Sequence, residues 1–477
     1  MSSPQVLFRK KQPDLVLISS LRGQLFKPSR YNAHRVAEDG SLILYNSFTG
    51  AFSNFPLAHR PGVERFLRAD GTYASVDSGL PKYLFERGFI IADGINELQR
   101  VRHLHGQQQY RSDVFELILL ASEECNFRCT YCYEEFKRGT MENWVREAVV
   151  RWLERRVPTV RHLSIEWFGG EPLLGYEAIS DIAPVAQKLA RQHGVQFHHS
   201  MTTNGFLLSR KTFESLLEWG LTSCQVTLDG PEDSHNRTRP LRGGGDTYEV
   251  IVSNLRDISA TKGEFTISLR VNFDPHNLPY MDRYIANAKL WFGHDRRFKI
   301  RFYPVGRWGG ANDANLEICG LSANKERQSL ELKALGQGLN VHTRIEQMQP
   351  NSSICYAARP FSFIVGADGK LMKCTLVLDK KDYNIVGTLL PTGEPKVDLD
   401  KIGKWIAPYF EDDASCRKCF FLPACQGIAC PVERIENGTR PCPSEKSEIG
   451  PTLHNLWAVR SVRAKLAGDS QGGGPCR

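Results

Sequence analysis

Cys125-Asn-Phe-Arg-Cys129-Thr-Tyr-Cys132 places three cysteines at a C-x3-C-x2-C spacing. Thiolates this close can each hold one iron of a cubane 4Fe–4S cluster, and with no fourth cysteine in the run one iron stays open to another ligand. A zinc site is the competing reading, but zinc favours four ligands in paired C-x2-C knuckles. Tyr131, one position before the last cysteine, offers an aromatic face to a purine. A second cysteine-rich stretch holds Cys355 and Cys374, then Cys416-x2-Cys419-x5-Cys425-x4-Cys430, and Cys442. The chain has thirteen cysteines, an odd count that exceeds what packing needs in a reducing compartment. Metal ligation therefore outweighs a disulfide framework. Cys224 and Cys319 read instead as small buried hydrophobes.

These loops need elements to hold them, and the pattern around the first motif is an alternation. Apolar strand segments FELILLA, HLSIEWF, VQFHHSMTT, SCQVTLD, FTISLRVNF and FKIRFYPV are separated by helical segments such as ENWVREAVVRWLERRV and SRKTFESLLEWG. Strands and helices alternating at this spacing imply parallel βαβ units, with functional loops at the C-terminal ends of the strands. About six units fit, two fewer than a closed barrel needs, so an open partial barrel is expected over residues 113–325. Residues 1–112 read as a small α/β module, with a hairpin formed by SLILYNS, a TG turn and AFSNF. Residues 340–450 break into short strands, glycines, prolines and cysteines that depend on bound ligands more than on a large core. A helix and a disordered glycine-rich tail from Leu466 onward, carrying Cys476, complete the chain over 451–477.

Composition sets outer limits. The chain has 477 residues, 41% hydrophobic and 24% charged, as ordinary globular multi-domain proteins do. Its net charge of +8 is spread without a long Lys/Arg block, which argues against a nucleic-acid groove. No stretch approaches the roughly 18 apolar residues of a membrane span, and the N-terminus lacks a signal-peptide core, so a cytoplasmic location is expected.

The cysteine loop resembles the signature of the radical S-adenosylmethionine (SAM) superfamily. Gly169-Gly170-Glu171-Pro172, after the second strand, looks like that family's GGEP motif, whose backbone and Glu hold the methionine ammonium group. Thr203-Asn204-Gly205 and Thr227-Leu228-Asp229-Gly230-Pro231, followed by His235 and Arg239, are similar to the family's third and fourth strand ends. The resemblance implies an (β/α)6 partial barrel in which Tyr131, Gly169, Gly170, Glu171, Asn204, Thr227, Asp229, Arg239 and Arg270 line the SAM site. Arg239 and Arg270 are the candidate partners for the SAM carboxylate. Against this, Glu171 could simply cap the following helix, and Asp229 with Arg239 could be a structural pair.

The later cysteines look like a SPASM domain, an extension of radical SAM peptide and protein modifiers that usually carries two auxiliary 4Fe–4S clusters. The resemblance implies one closed cluster on Cys416, Cys419, Cys425 and Cys442. It implies a second on Cys355, Cys374 and Cys430, with its fourth ligand open to Cys319, to a substrate group or to none. The spacing departs from the family's commoner form by one residue before Cys430. A zinc ribbon is the bland rival, and seven cysteines fit two iron clusters better than one zinc.

The family implication is an oxidoreductase that cleaves SAM to a 5′-deoxyadenosyl radical, abstracts hydrogen from a ribosomally made peptide and forms a crosslink or other oxidative modification. An electron donor such as flavodoxin or ferredoxin is implied. The N-terminal module loosely resembles the element by which peptide maturases grip a leader sequence. Sulfatase activators are the alternative; they generally begin close to the barrel and carry an acid where this chain has Thr375. A non-catalytic iron–sulfur protein would need none of the SAM-lining motifs.

Overall fold

Every second residue from Leu163 to Trp167 is apolar, and that alternation separates the two faces of one sheet. The computed structural model of the chain describes residues 25–68, 76, 78–109 and 111–469. The N-terminal module holds strands β1 (Phe26–Pro28), β2 (Asn32–Val36), β3 (Leu42–Asn46), β4 (Phe52–Phe55) and β5 (Ile90–Ala92), with helices α1 (Arg60–Leu67), α2 (Gly79–Glu86) and α3 (Glu97–Gln109). Strands β2, β3 and β4 form an antiparallel sheet, and β1 pairs with β5. The expected hairpin is β3–β4; β2 is a third strand that its exposed, polar sequence hides.

Six parallel strands follow: β6 (Val114–Ser122), β7 (His162–Gly169), β8 (Gln196–Thr203), β9 (Ser223–Thr227), β10 (Thr266–Phe273) and β11 (Phe298–Pro304). They lie side by side in chain order, the arrangement that alternating strand and helix segments require. Helices α4 (Asn143–Arg156), α5 (Tyr176–Gln192), α6 (Arg210–Glu218), α7 (Glu232–Thr238), α8 (Tyr248–Ser259) and α9 (Met281–Phe292) connect them. Leu163, Ile165, Trp167, Met201, Val226, Leu269 and Ile300 are buried in one core with apolar residues of α4, α5, α6, α8 and α9. The opposite face carries partly exposed polar residues, among them Ser164, Glu166, Thr202, Gln225, Ser268 and Arg301. A sheet apolar on one side and polar on the other forms an open, wet trough rather than a packed barrel interior. This is the expected partial (β/α)6 barrel.

Two additions extend the sheet. Residues 340–342 run along β11, with Ile300 N–H donating to Asn340 O and His342 N–H to Ile300 O, both at 2.9 Å. On the other side β12 (Ser362–Val365) lies parallel to β6, and β13 (Lys370–Met372), β14 (Ile385–Leu389) and β15 (Pro395–Val397) continue as an antiparallel meander. The result is one ten-stranded sheet that joins the barrel to the cysteine-rich part. The last helix, Ile449–Asp469, continues past Leu466, where the tail was expected to begin, and Cys476 lies outside the described residues. Among the described residues no helix is long and apolar enough to cross a membrane.

A buried histidine makes the barrel acid-sensitive. Trp167 Nε1 donates to His199 Nε2 at 2.6 Å, and His199 Nδ1 lies 3.1 Å from Trp219 O, so the ring is held neutral with its proton on Nδ1. Burial lowers its pKa to about 4. A depressed pKa means stability present above the ordinary value near 6.5 and lost as pH falls toward 4, worth up to about 3 kcal/mol. Urea midpoints of wild-type protein should fall across this window, and those of His199→Leu should fall less; parallel profiles would disprove the assignment.

Candidate functional site

The loop after β6 carries Cys125, Cys129 and Cys132 and is pressed against the end of β7. Gly170 N–H donates to Ser122 O at 3.1 Å, and Glu171 N–H to Glu124 O at 2.9 Å. The approach is so close that a Cβ on Gly169 would lie 2.2 Å from Ser122 O, and one on Gly170 2.5 Å from Glu124 O. Gly169 also has a φ of +120°, open essentially to glycine alone. The tandem glycines are thus what lets the cysteine loop sit on the sheet.

Glu171 is fully buried and binds at three points. Its Oε1 accepts from Leu173 N–H at 3.1 Å and from Thr203 Oγ1 at 2.6 Å, and its Oε2 from Asn204 N–H at 2.7 Å. It caps the turn after β7 and also ties β7 to the end of β8. Burial raises its pKa against these bonds and the charge of Arg239. Asn204 reaches the cysteine loop, its Nδ2 donating to Asn126 Oδ1 at 2.7 Å. One carboxylate and one amide therefore register the loop against two strand ends.

Tyr131 is the hub of the other side. Its hydroxyl donates to Asp229 Oδ2 and accepts from Arg239 Nη1 at 2.7 Å and Asn272 Nδ2 at 3.1 Å. Asn272 N–H donates to Asp229 Oδ1 at 2.7 Å, and Asp229 N–H donates to His235 Nδ1 at 3.0 Å. Asp229 and Arg239 are thus joined through the Tyr131 hydroxyl, and the side chain between the second and third cysteines is locked to the ends of β9 and β10. Arg239 is buried and its Nε has no partner among the described residues, a donor left for a bound group. Arg270 donates from Nε to Asn272 Oδ1 at 2.9 Å, and its guanidinium lies 4.2 Å from the centre of the Tyr303 ring. Buried Thr227 is its cross-strand neighbour on β9. Asn126 and Asn272 were missed from sequence; Asn272, two positions after Arg270 on a strand, carried a period-two signal.

Burial pushes the Cys125 and Cys132 thiols up to about 12 and raises that of Cys129. Thiolates here need a positive partner such as a bound metal.

The structure brings the C-terminal cysteines together in two places. Cys416, Cys419, Cys425 and Cys442 line one cavity of about 160 Å³, together with Arg434, Arg440 and Lys446. That is about ten times the roughly 10–15 Å³ that accommodates one water. Among the described residues no three His, Cys, Asp or Glu side chains close on a single-ion site. Four thiols thus face one cavity with a cationic rim. Arg434 Nη2 lies 3.2 Å from Cys416 Sγ. Asp413 accepts from Arg440 Nε at 2.7 Å and from Cys416 N–H at 3.1 Å, holding both the cysteine and the rim. In the other group, burial raises Cys355 to about 11 and Cys374 to about 12, with Cys430 close enough to add to both. Cys319 is half-buried with Asp274 and Glu326 as its charged neighbours, whereas Cys224 is buried in β9.

Residues 119–278 match the family model of the radical SAM superfamily. Among curated relatives, the radical SAM cyclopropyl synthase TigE of Paramaledivibacter caminithermalis is 26% identical over 191 residues, 36% of this chain and 39% of that protein. The cysteine-type anaerobic sulfatase-maturating enzyme of Clostridium perfringens strain 13 is 28% identical over 163 residues, 32% of this chain and 42% of that protein. The chain thus spans about two fifths of the length of these relatives. A solved structure described as native anSMEcpe with bound AdoMet aligns at a TM-score of 0.51 and 16% identity, over 75% of this chain and 98% of that one. The matched segment contains the three cysteines, the tandem glycines, Glu171, Asp229 and Arg239, so that this part of the chain is similar to the radical SAM superfamily.

Proposed function

We propose that the protein is a radical SAM maturase that oxidatively modifies a ribosomally made peptide. The observation that carries this is the cysteine loop, tied by Glu171, Asn204 and Tyr131 to successive strand ends above a polar trough. Cys125, Cys129 and Cys132 are the residues to hold the SAM-binding 4Fe–4S cluster. With SAM, that cluster supplies a 5′-deoxyadenosyl radical able to take hydrogen from carbon. Glu171, Arg239 and Arg270 orient the amino-acid end of SAM; Gly169, Gly170, Asn204, Thr227, Asp229 and Tyr131 shape its walls. The polar trough face of β7 to β11 receives the substrate side chain.

Two auxiliary clusters are assigned to Cys416, Cys419, Cys425 and Cys442, and to Cys355, Cys374 and Cys430. The four-thiol cavity supports the first, and the closeness of Cys430 to Cys355 and Cys374 supports the second. Held by these cysteines, such clusters would supply an acceptor for the electron that a net two-electron oxidation of the substrate releases. A leader segment pairing with the exposed β2 strand is the mode of peptide capture supported by the module. A flavodoxin or ferredoxin is the proposed reductant, and the cytoplasm the proposed location.

The test is anaerobic reconstitution, followed by iron and sulfide counts and by dithionite with SAM. About twelve irons with 5′-deoxyadenosine are expected; a colourless zinc protein without cleavage would refute the proposal. Formylglycine formed in a cysteine-containing sulfatase peptide would favour the sulfatase-activating alternative.

A further inference from the structure

The N-terminal module is built onto the loop that carries Cys416, Cys419 and Cys425. Tyr31 and Val101 share one apolar cluster with Phe410, Cys416 and Leu422. Ile43, Tyr45 and Phe52 share another with Phe421, Ala424 and Cys425. Polar contacts land on the same stretch. Arg30 Nη2 donates to Arg417 O at 2.5 Å, Ser47 Oγ donates to Phe420 O, and Arg102 forms a two-bond ion pair with Glu411, each bond 2.8 Å. His105 Nδ1 lies 2.7 Å from Gln426 Oε1, and Gln426 in turn bonds Asn351. Gln426, next to Cys425 and fully buried, has a φ of +49°. A left-handed non-glycine residue is strained and persists only where its surroundings hold it; here His105 is one of the holders.

We infer that the module is a wall of the Cys416–Cys442 cluster site, so that filling the site rigidifies the module and loosening the module empties the site. The inference rests on the reading of these four cysteines as ligands. Metal binding is folding energy for the segments that supply the ligands, and coupling of this kind is reciprocal. A peptide held by β2 is then registered against the auxiliary cluster rather than against the barrel. His105, Arg102 and Gln426 are positioning residues in this arrangement.

The full chain, reconstituted, is compared with its Cys416→Ser/Cys419→Ser/Cys425→Ser/Cys442→Ser variant by hydrogen exchange. Amides of β3 and α3 should exchange at least about tenfold faster in the variant while β6 to β8 stay unchanged, the latter reporting an intact barrel. In the reverse direction His105→Ala should release about four irons to a chelator faster than wild type, and His105→Asn, which keeps a donor for Gln426, should restore retention. Equal exchange in β3 and α3 with and without the cluster, or wild-type iron retention by His105→Ala, overturns the inference. Wild-type protein that already lacks the iron lost in the four-cysteine variant instead refutes the ligand reading, and the inference with it.

Discussion

Replacing Cys125, Cys129 and Cys132 together with Ala should abolish SAM cleavage while leaving roughly eight of about twelve irons. The three thiols stand on one loop whose backbone is held independently of them, by Ser122 O and Glu124 O against the end of β7 and by Arg128 N–H and Thr130 N–H donating to Pro240 O and Thr238 O. Removing the thiols therefore removes ligands without removing the fold. The auxiliary groups lie on separate segments, so their iron should persist. Formation of 5′-deoxyadenosine by the triple variant would overturn the assignment of this loop, and loss of all iron would show that the three sites are not independent.

Gly169→Ala should be nearly as damaging, though it touches no ligand. The added Cβ meets Ser122 O at 2.2 Å, on backbone that cannot swing aside, and the φ of +120° is strained for any other residue. Relief requires the cysteine loop to lift from β7, which also stretches the bond between Glu171 N–H and Glu124 O. A displacement of about 1 Å at a reacting centre can cost 10²-fold, so SAM cleavage should fall by about that factor or more. The measurement is 5′-deoxyadenosine per reconstituted chain, normalised to iron. Activity within a few-fold of wild type would mean that the loop does not need this seat.

The barrel was legible because its strands announce themselves locally. All six carry apolar or alternating runs bounded by helical periodicity, and each expected strand is present. The cavity shared by Cys416, Cys419, Cys425 and Cys442 corresponds to the grouping that the family resemblance implied, which their spacing alone would not have selected. What escaped is non-local or carried by backbone. The parallel pairing of Ser362–Val365 with Glu116–Leu119 joins residues far apart in the chain and leaves no periodic trace. The role of Tyr131 escaped for the same reason: its partners Asp229, Arg239 and Asn272 come from three later segments. The glycines at 169 and 170 were recognisable as a motif, but the carbonyls they must clear were not.

The pairing of β12 with β6 bears on how the protein can be dissected. Strand β6 leads directly into the cysteine loop, and β12 occupies its outer side, with Arg359 Nη1 bonding Glu116 across the seam. A fragment ending before residue 350 would bare the edge of β6 over Glu116–Leu119, an apolar template for pairing with another chain. Such a fragment should be recovered as aggregate, its insolubility reflecting an uncovered sheet margin rather than defective iron chemistry.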